Sequence, residues 1–232
     1  GKRVDIPCEP VDITTGFSIE ALLSALGGSL DPLLEVVKSG KIRGFCAIVG
    51  CNNPRIQHDS ANVALAKALI KRDILVLVTG CVTTAAGKAG LLMPEGKSMA
   101  GPGLQEVCTA LNIPPVLHMG SCVDNARIIQ LCAAIADALG VDIADLPVWG
   151  ASPEWYSEKA VAIGLYCVAS GIPVHIGTPP HITGSSVVTN LALHGLEDLV
   201  GASFLVEADP EKAAGIMDER IKAKRTGLGL QP

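Results

Sequence analysis

The stretch "ILVLVTGC", residues 74–81, decides the fold: five apolar residues in a row, then threonine, glycine and a cysteine. The same ending recurs in "FCAIVGC", residues 45–51, and in "PPVLHMGSC", residues 114–122. An apolar run of strand length with no alternating polar residue suits a strand buried on both faces, and such strands belong to parallel sheets covered by helices. Runs of this kind stand at 44–49, 74–79, 114–118, 146–149, 172–176 and 202–206. Helical patterns fit between them at 59–71, 82–90, 102–111, 124–139, 154–170, 185–196 and 209–224.

Short strands alternating with helix-length segments predict βαβ units with right-handed crossovers. The expected fold class is α/β: a doubly wound, mostly parallel, Rossmann-like sheet. Residues 1–43 are read as a short helical N-terminal adaptor and 44–232 as the sheet domain. In the adaptor, "SIEALLSALG" starts a helix at Ser18. "DPLLEVVKSG" follows, with Asp31 as N-cap, Pro32 at the first helical position and Gly40 as the stop.

The 232 residues are 49% apolar but only 3% aromatic, so the core is built from Ala, Val, Ile, Leu and Gly. A chain of this length buries roughly 70% of the surface its unfolded form exposes. No run approaches the roughly 18 apolar residues of a membrane span. "GKRVDIPCEP" has no apolar core for a signal peptide, and a chain that starts without Met is expected to be processed or cut from something longer. A net charge of −5 with no long basic run argues against nucleic acid and anionic membranes as partners. Eight cysteines without an export signal are read as reduced thiols in a cytoplasmic protein.

In open α/β sheets, ligands bind beyond the carboxyl ends of the strands. Cys51, Cys81 and Cys122 are all expected on that rim. The glycines before them (Gly50, Gly80 and Gly120) let the backbone turn sharply. Each thiol is also expected near the start of a following helix, where free N–H groups favour the thiolate, the metal-binding form. Two readings stand here: three thiolates presented to one soft ligand, or three small apolar residues packing strand ends. Cys46, Cys108, Cys132 and Cys167 fall on apolar faces and are read as core, while Cys8 is unassigned.

Three thiolates fall short of the usual four of an iron–sulfur cluster, and the spacings do not suit a zinc ribbon or a thioredoxin-type pair. His58, His118, His175 and His181 are candidate further ligands by position, with a hydrogen-bonded edge histidine as the alternative for each. In "SPEWYSEKAVAIG", residues 152–164, Ser152 is read as a cap and Pro153 and Glu154 as the helix opening. Lys159 then falls in the second turn, with Ile163 on the same face. Its ammonium could stand over a reaction site, or be solvated and paired with neighbouring Glu residues. No G-x-G-x-x-G follows a strand and no G-x-S-x-G occurs.

Taken together, "VGCNNP" (49–54), "LVTGC" (77–81), "HMGSCVDNARI" (118–128) and "ASPEWYSEKAVAIG" (151–164) resemble the C-terminal half of anaerobic nickel–iron carbon monoxide dehydrogenases. The resemblance covers nearly the whole chain. Hybrid-cluster proteins share the architecture but match the "HMGSC" and "SPEW" blocks less well. The resemblance implies a Rossmann-like domain that helps hold a Ni-4Fe-4S cluster, which interconverts CO plus water with CO2, two protons and two electrons. It implies Cys51 and Cys81 as iron ligands and Cys122 as the nickel ligand. Lys159 corresponds to the cation that stabilises negative charge on CO2 at the metal, and Ile163 to the apolar residue crowding the open nickel position.

In that family the cluster also takes one histidine and two cysteines from upstream of the matched region. A further upstream histidine cooperates with the lysine, and the cysteines of the electron-transfer clusters lie there too. The chain is therefore expected to be a fragment or separately made C-terminal domain, with an incomplete ligand set and no activity alone. Implied partners are CO and CO2, the N-terminal half of the enzyme, a second copy in a homodimer, a ferredoxin-like electron acceptor and acetyl-CoA synthase. A hybrid-cluster-type hydroxylamine reductase and a metal-free assembly scaffold remain as alternatives.

Overall fold

Residues 10–232 are described by a computed structural model of the chain, so Cys8 lies outside the described residues. The six apolar runs all become strands: β1 (Gly44–Gly50), β2 (Ile74–Gly80), β3 (Val116–Gly120), β4 (Val148–Ser152), β5 (Val174–Ile176) and β6 (Phe204–Val206). They form one sheet in the order β3-β2-β1-β4-β5-β6, and every neighbouring pair is parallel. The chain builds outward from β1 to β3, then returns past β1 to lay down β4 on its other side. The order therefore reverses between β1 and β4, as in a doubly wound Rossmann sheet. Every residue of β2 from Ile74 to Thr79 is buried, as is all of β4, which is why neither run alternates.

The helices are α1 (Ile19–Ala25), α2 (Asp31–Lys38), α3 (Ser60–Ile70), α4 (Cys81–Lys88), α5 (Pro102–Leu111), α6 (Asn125–Leu139), α7 (Glu158–Ala169), α8 (Ser186–Asn190), α9 (Leu196–Val200) and α10 (Pro210–Gly227). Helices α3, α4 and α10 pack together over one face of the sheet. On the other, α6 and α7 meet Phe45, Ala47 and Val49 of β1. Local chemistry sets the helix ends. Asp209 accepts from the N–H groups of Glu211 and Lys212 at 2.9 and 3.2 Å, with Pro210 opening α10; such a cap contributes about 1 kcal/mol. Helix α6 stops at left-handed Gly140 (φ +68°), where an L side chain would be strained.

Several expected details differ. Asp31 is the first helical residue of α2 rather than its cap, and it accepts from the Ser29 hydroxyl at 2.8 Å. Ser152 does not cap a helix: it ends β4, paired with Ile176, and α7 begins only at Glu158. Lys159 therefore sits in the first turn of its helix. The helix expected at 185–196 runs on to Val200 but widens to a π-helical turn at Leu191–Gly195.

Cys46, Cys108 and Cys132 are buried in the core, and Cys167 is partly so. Burial pushes the Cys108 and Cys167 thiols up from 9.0 to about 11, and Cys46 further. Burial, reinforced by neighbouring Cys167, pushes Cys132 to about 12. These groups stay protonated in the fold but ionise near 9 once unfolded. Their contribution to stability is thus complete below pH 9 and is lost as pH rises through 11 and 12. The urea midpoint is expected to fall between pH 9 and 11, and Cys132→Ala to flatten that fall. An identical slope in the variant would contradict the burial.

Candidate metal centre

Beyond the carboxyl ends of β1 and β4, where the strand order reverses, an open α/β sheet forms its ligand crevice. A cavity of about 30 Å³ lies there, space for two or three water-sized molecules at roughly 10–15 Å³ each. Cys51 and Cys122 line it, together with Asn125, Ser152, Lys159 and Ile163. Cys51 follows β1 directly. Cys122 stands just past β3 and opens a short 3-10 turn, Cys122–Asp124, that leads into α6. Lys159 and Ile163 lie one turn apart on α7. Four of the five expected site residues thus share one crevice. The fifth, Cys81, is the first residue of α4, exposed on the rim and outside this cavity.

The repeated glycines have a physical reason here. A Cβ built on Gly80 (φ +68°) would lie 2.5 Å from Cys122 Sγ and 3.3 Å from the Gly50 carbonyl oxygen. One on Gly50 (φ +116°) would lie 2.5 Å from Ser152 Oγ. Each glycine makes room for a group on the neighbouring strand end, not for the cysteine that follows it. Gly80→Ala is expected to cost about 1–3 kcal/mol of stability through its backbone strain, and to change the alkylation rate of Cys122. Denaturant titration and thiol labelling would check both; an unmoved Cys122 would contradict the contact.

Cys122 has a built seat. Asp124 Oδ2 accepts from the Ser121 N–H at 2.7 Å and from its hydroxyl at 3.0 Å, and the backbone bond, then the hydroxyl, hold the Asp124 carboxyl below its ordinary range. Thr79 Oγ1 donates to Asn125 Oδ1 at 2.5 Å, which leaves the Asn125 amide N–H groups available to the cavity. Ser152 is 4% exposed, and its Oγ has no hydrogen-bond partner among the described residues. A buried hydroxyl left unpaired beside two thiols suits a ligand. Asn125 and Ser152 were not singled out as site residues from the sequence. Asn125 does stand within the "HMGSCVDNARI" block.

Among the described residues, no three His, Cys, Asp or Glu side chains converge to hold a single metal ion. A polynuclear cluster differs, because each thiolate binds a different metal and its ligands stand further apart than around one ion. Soft thiols spread along one rim fit one side of such a cluster and do not fit a closed zinc site. Of the expected helix starts, Cys81 heads α4 and Cys122 leads into α6, but Cys51 precedes a loop, since α3 begins only at Ser60.

Among the described residues no histidine lines the cavity. His58 stands 3.4 Å from Asp59. His118 Nε2 lies 3.1 Å from the Gly120 carbonyl oxygen. Buried His175 has Nε2 2.8 Å from the Glu207 carbonyl, and burial lowers its pKa. His181 stands edge-on to Trp155, with 5.7 Å between ring centroids. The hydrogen-bonded edge alternative describes His118 and His175 as they stand.

Residues 2–211 match the Prismane/CO dehydrogenase family. Carbon monoxide dehydrogenase 1 of Methanosarcina acetivorans is 55% identical over 230 residues, which cover 99% of this chain and 37% of that protein. A nickel-free, as-isolated carbon monoxide dehydrogenase structure from Thermococcus sp. AM4 superposes with a TM-score of 0.91 at 52% identity, covering 94% of this chain and 34% of that one. A chain of an acetyl-CoA synthase/carbon monoxide dehydrogenase gives a TM-score of 0.87 at 35% identity, again covering 94% of this chain and 34% of that one. The chain thus spans little more than a third of the length of these relatives. Over that span the chain belongs to the Prismane/CO dehydrogenase family.

Proposed function

We propose that this chain is the part of a carbon monoxide dehydrogenase that carries three ligands of a Ni-4Fe-4S cluster. It would also carry the charged group of the reaction CO + H2O → CO2 + 2H⁺ + 2e⁻. The supporting observation is that Cys51, Cys122, Lys159 and Ile163, from three separate segments, line one crevice at the switch point of the sheet. Cys51 and Cys81 are assigned to iron and Cys122 to nickel, as thiolates suited to soft metals. When bound, the cluster supplies the Lewis acidity and takes up the two electrons.

The chain's own residues do the rest. Lys159 brings an ammonium to the place where negative charge develops on the substrate oxygens, and it stabilises that charge most where water is excluded. Ile163 gives the crevice an apolar wall that admits CO and limits water. The remaining ligands, the electron acceptor and the second subunit are assigned to partners: the rest of the enzyme, a ferredoxin-like protein and a second copy, with acetyl-CoA synthase as a further associate. Among the described residues no helix is long and apolar enough to cross a membrane.

The test is CO-dependent reduction of a viologen dye by the anaerobically purified intact enzyme. Dye reduction matched by CO2 release is expected. A cluster-loaded protein that leaves the dye oxidised under CO would overturn the assignment.

A further inference from the structure

Glu154 is fully buried, and both of its carboxyl oxygens are engaged. Oε1 accepts from the N–H groups of Ala61 and Asn62 at 2.9 and 3.1 Å. Oε2 accepts from the Asp59 N–H at 3.2 Å and from Asn52 Nδ2 at 3.0 Å. All these partners lie 92 to 102 residues earlier in the chain. Helix α3 needs such help at its start: its own N-cap residue, Asp59, sits at φ +66° and makes no capping bond. Its place is taken by a side chain from the far side of the crevice.

Asp59 turns its carboxylate elsewhere, to Asn52 Nδ2 at 2.7 Å and to an ion pair with Lys88. Lys88 is the last residue of α4, the helix that Cys81 opens. Asn62, whose N–H Glu154 holds, donates its side-chain amide to the Cys51 carbonyl at 3.3 Å. Asn53 Nδ2 donates to the Trp155 carbonyl at 2.9 Å, closing a second bridge between the same two loops. A buried carboxylate is costly unless it is fully hydrogen-bonded, and each of its bonds is of the strong, charge-assisted kind. The result is a stiff tie between the loop after β1, which begins with Cys51, and the loop after β4, which leads to Lys159.

We propose that Glu154 is the positioning residue of Cys51, fixing that thiol at the switch point relative to the Lys159 side of the crevice. The proposal rests on the reading of Cys51 as a metal ligand, yet the placement of the thiol can be measured without metal. Protein supports around a ligand set its orientation and its affinity for metal.

The experiment measures the alkylation rate of each cysteine by iodoacetamide, resolved by peptide mass spectrometry. It uses the intact protein, reduced and metal-free, as wild type, Glu154→Gln, Asn52→Ala and the double variant. Glutamine keeps the shape of Glu154 but turns an NH2 toward N–H donors that need an acceptor. Cys51 is expected to react several-fold faster in Glu154→Gln, with Cys81 and Cys122 near wild type. The double variant should be no faster than Glu154→Gln, because both changes break the same bond. An unchanged Cys51 in Glu154→Gln, or effects that multiply independently in the double variant, would overturn the proposal. If Glu154→Gln also makes fully buried Cys46 reactive, the fold has opened and Asn52→Ala decides: Cys51 faster relative to Cys81 supports the tie, and an unchanged ratio refutes it. Failure of the ligand reading would show elsewhere, as a Cys51→Ala enzyme that keeps its iron.

Discussion

Replacing Cys122 with alanine in the intact enzyme is expected to remove nickel while leaving most of the iron in place. CO oxidation should fall by about a thousandfold, because a Lewis-acidic metal contributes several kcal/mol of charge stabilisation. The two effects should separate from any loss of fold. Cys122 sits partly exposed in a short turn whose shape comes from the Asp124–Ser121 bonds, and alanine leaves these intact. Cys51→Ala should behave differently and lose iron and nickel together. Metal analysis beside dye-reduction assays distinguishes the two variants. Full nickel occupancy in Cys122→Ala would sink the assignment of that thiol.

The second large effect is expected at Lys159. Lys159→Ala should lower turnover by about 10²–10³-fold, as removal of a single preorganised charge-stabilising donor does elsewhere. Iron and nickel content should stay unchanged. Lys159 is exposed at the mouth of the crevice and takes no part in the core, so stability should barely move. Lys159→Arg should restore part of the rate, since the charge returns with a different shape. Turnover and KM for CO, measured on metal-matched samples, check this. Wild-type turnover in Lys159→Ala would reduce the residue to a solvated surface lysine.

Much of the fold is legible in the sequence because burial on both faces writes itself as unbroken apolar runs. "ILVLV" reads as a strand buried on both faces, and β2 has a neighbour on each side with every residue but Gly80 buried. Helix starts were less legible. The Ser152-Pro153-Glu154 triplet has the composition of a helix opening, but Ser152 is drawn into pairing with β5, and Glu154 satisfies α3 rather than its own segment. Partners some 95 residues apart leave no periodic trace in a sequence.

The crevice was half legible. Strand-end position alone put Cys51 and Cys122 on one rim, and helical spacing put Ile163 with Lys159. The role of Gly80 was hidden, because the sulfur it makes room for belongs to a different strand end. Strand-edge position does not separate a ligand histidine from one that meets a backbone carbonyl, as His118 and His175 do.

On the proposed reading, this chain presents one side of a nickel–iron–sulfur site and the relatives' further length supplies the other. The direct measurement is iron, sulfide and nickel content after anaerobic purification and reconstitution, for residues 1–232 alone and for the same residues within a protein of the relatives' full length. A long form loaded in the proportions of one cluster is expected, beside a short form that holds no stoichiometric nickel. A short form carrying the full complement would contradict it, because Cys51, Cys81 and Cys122 would then belong to a site this chain completes by itself.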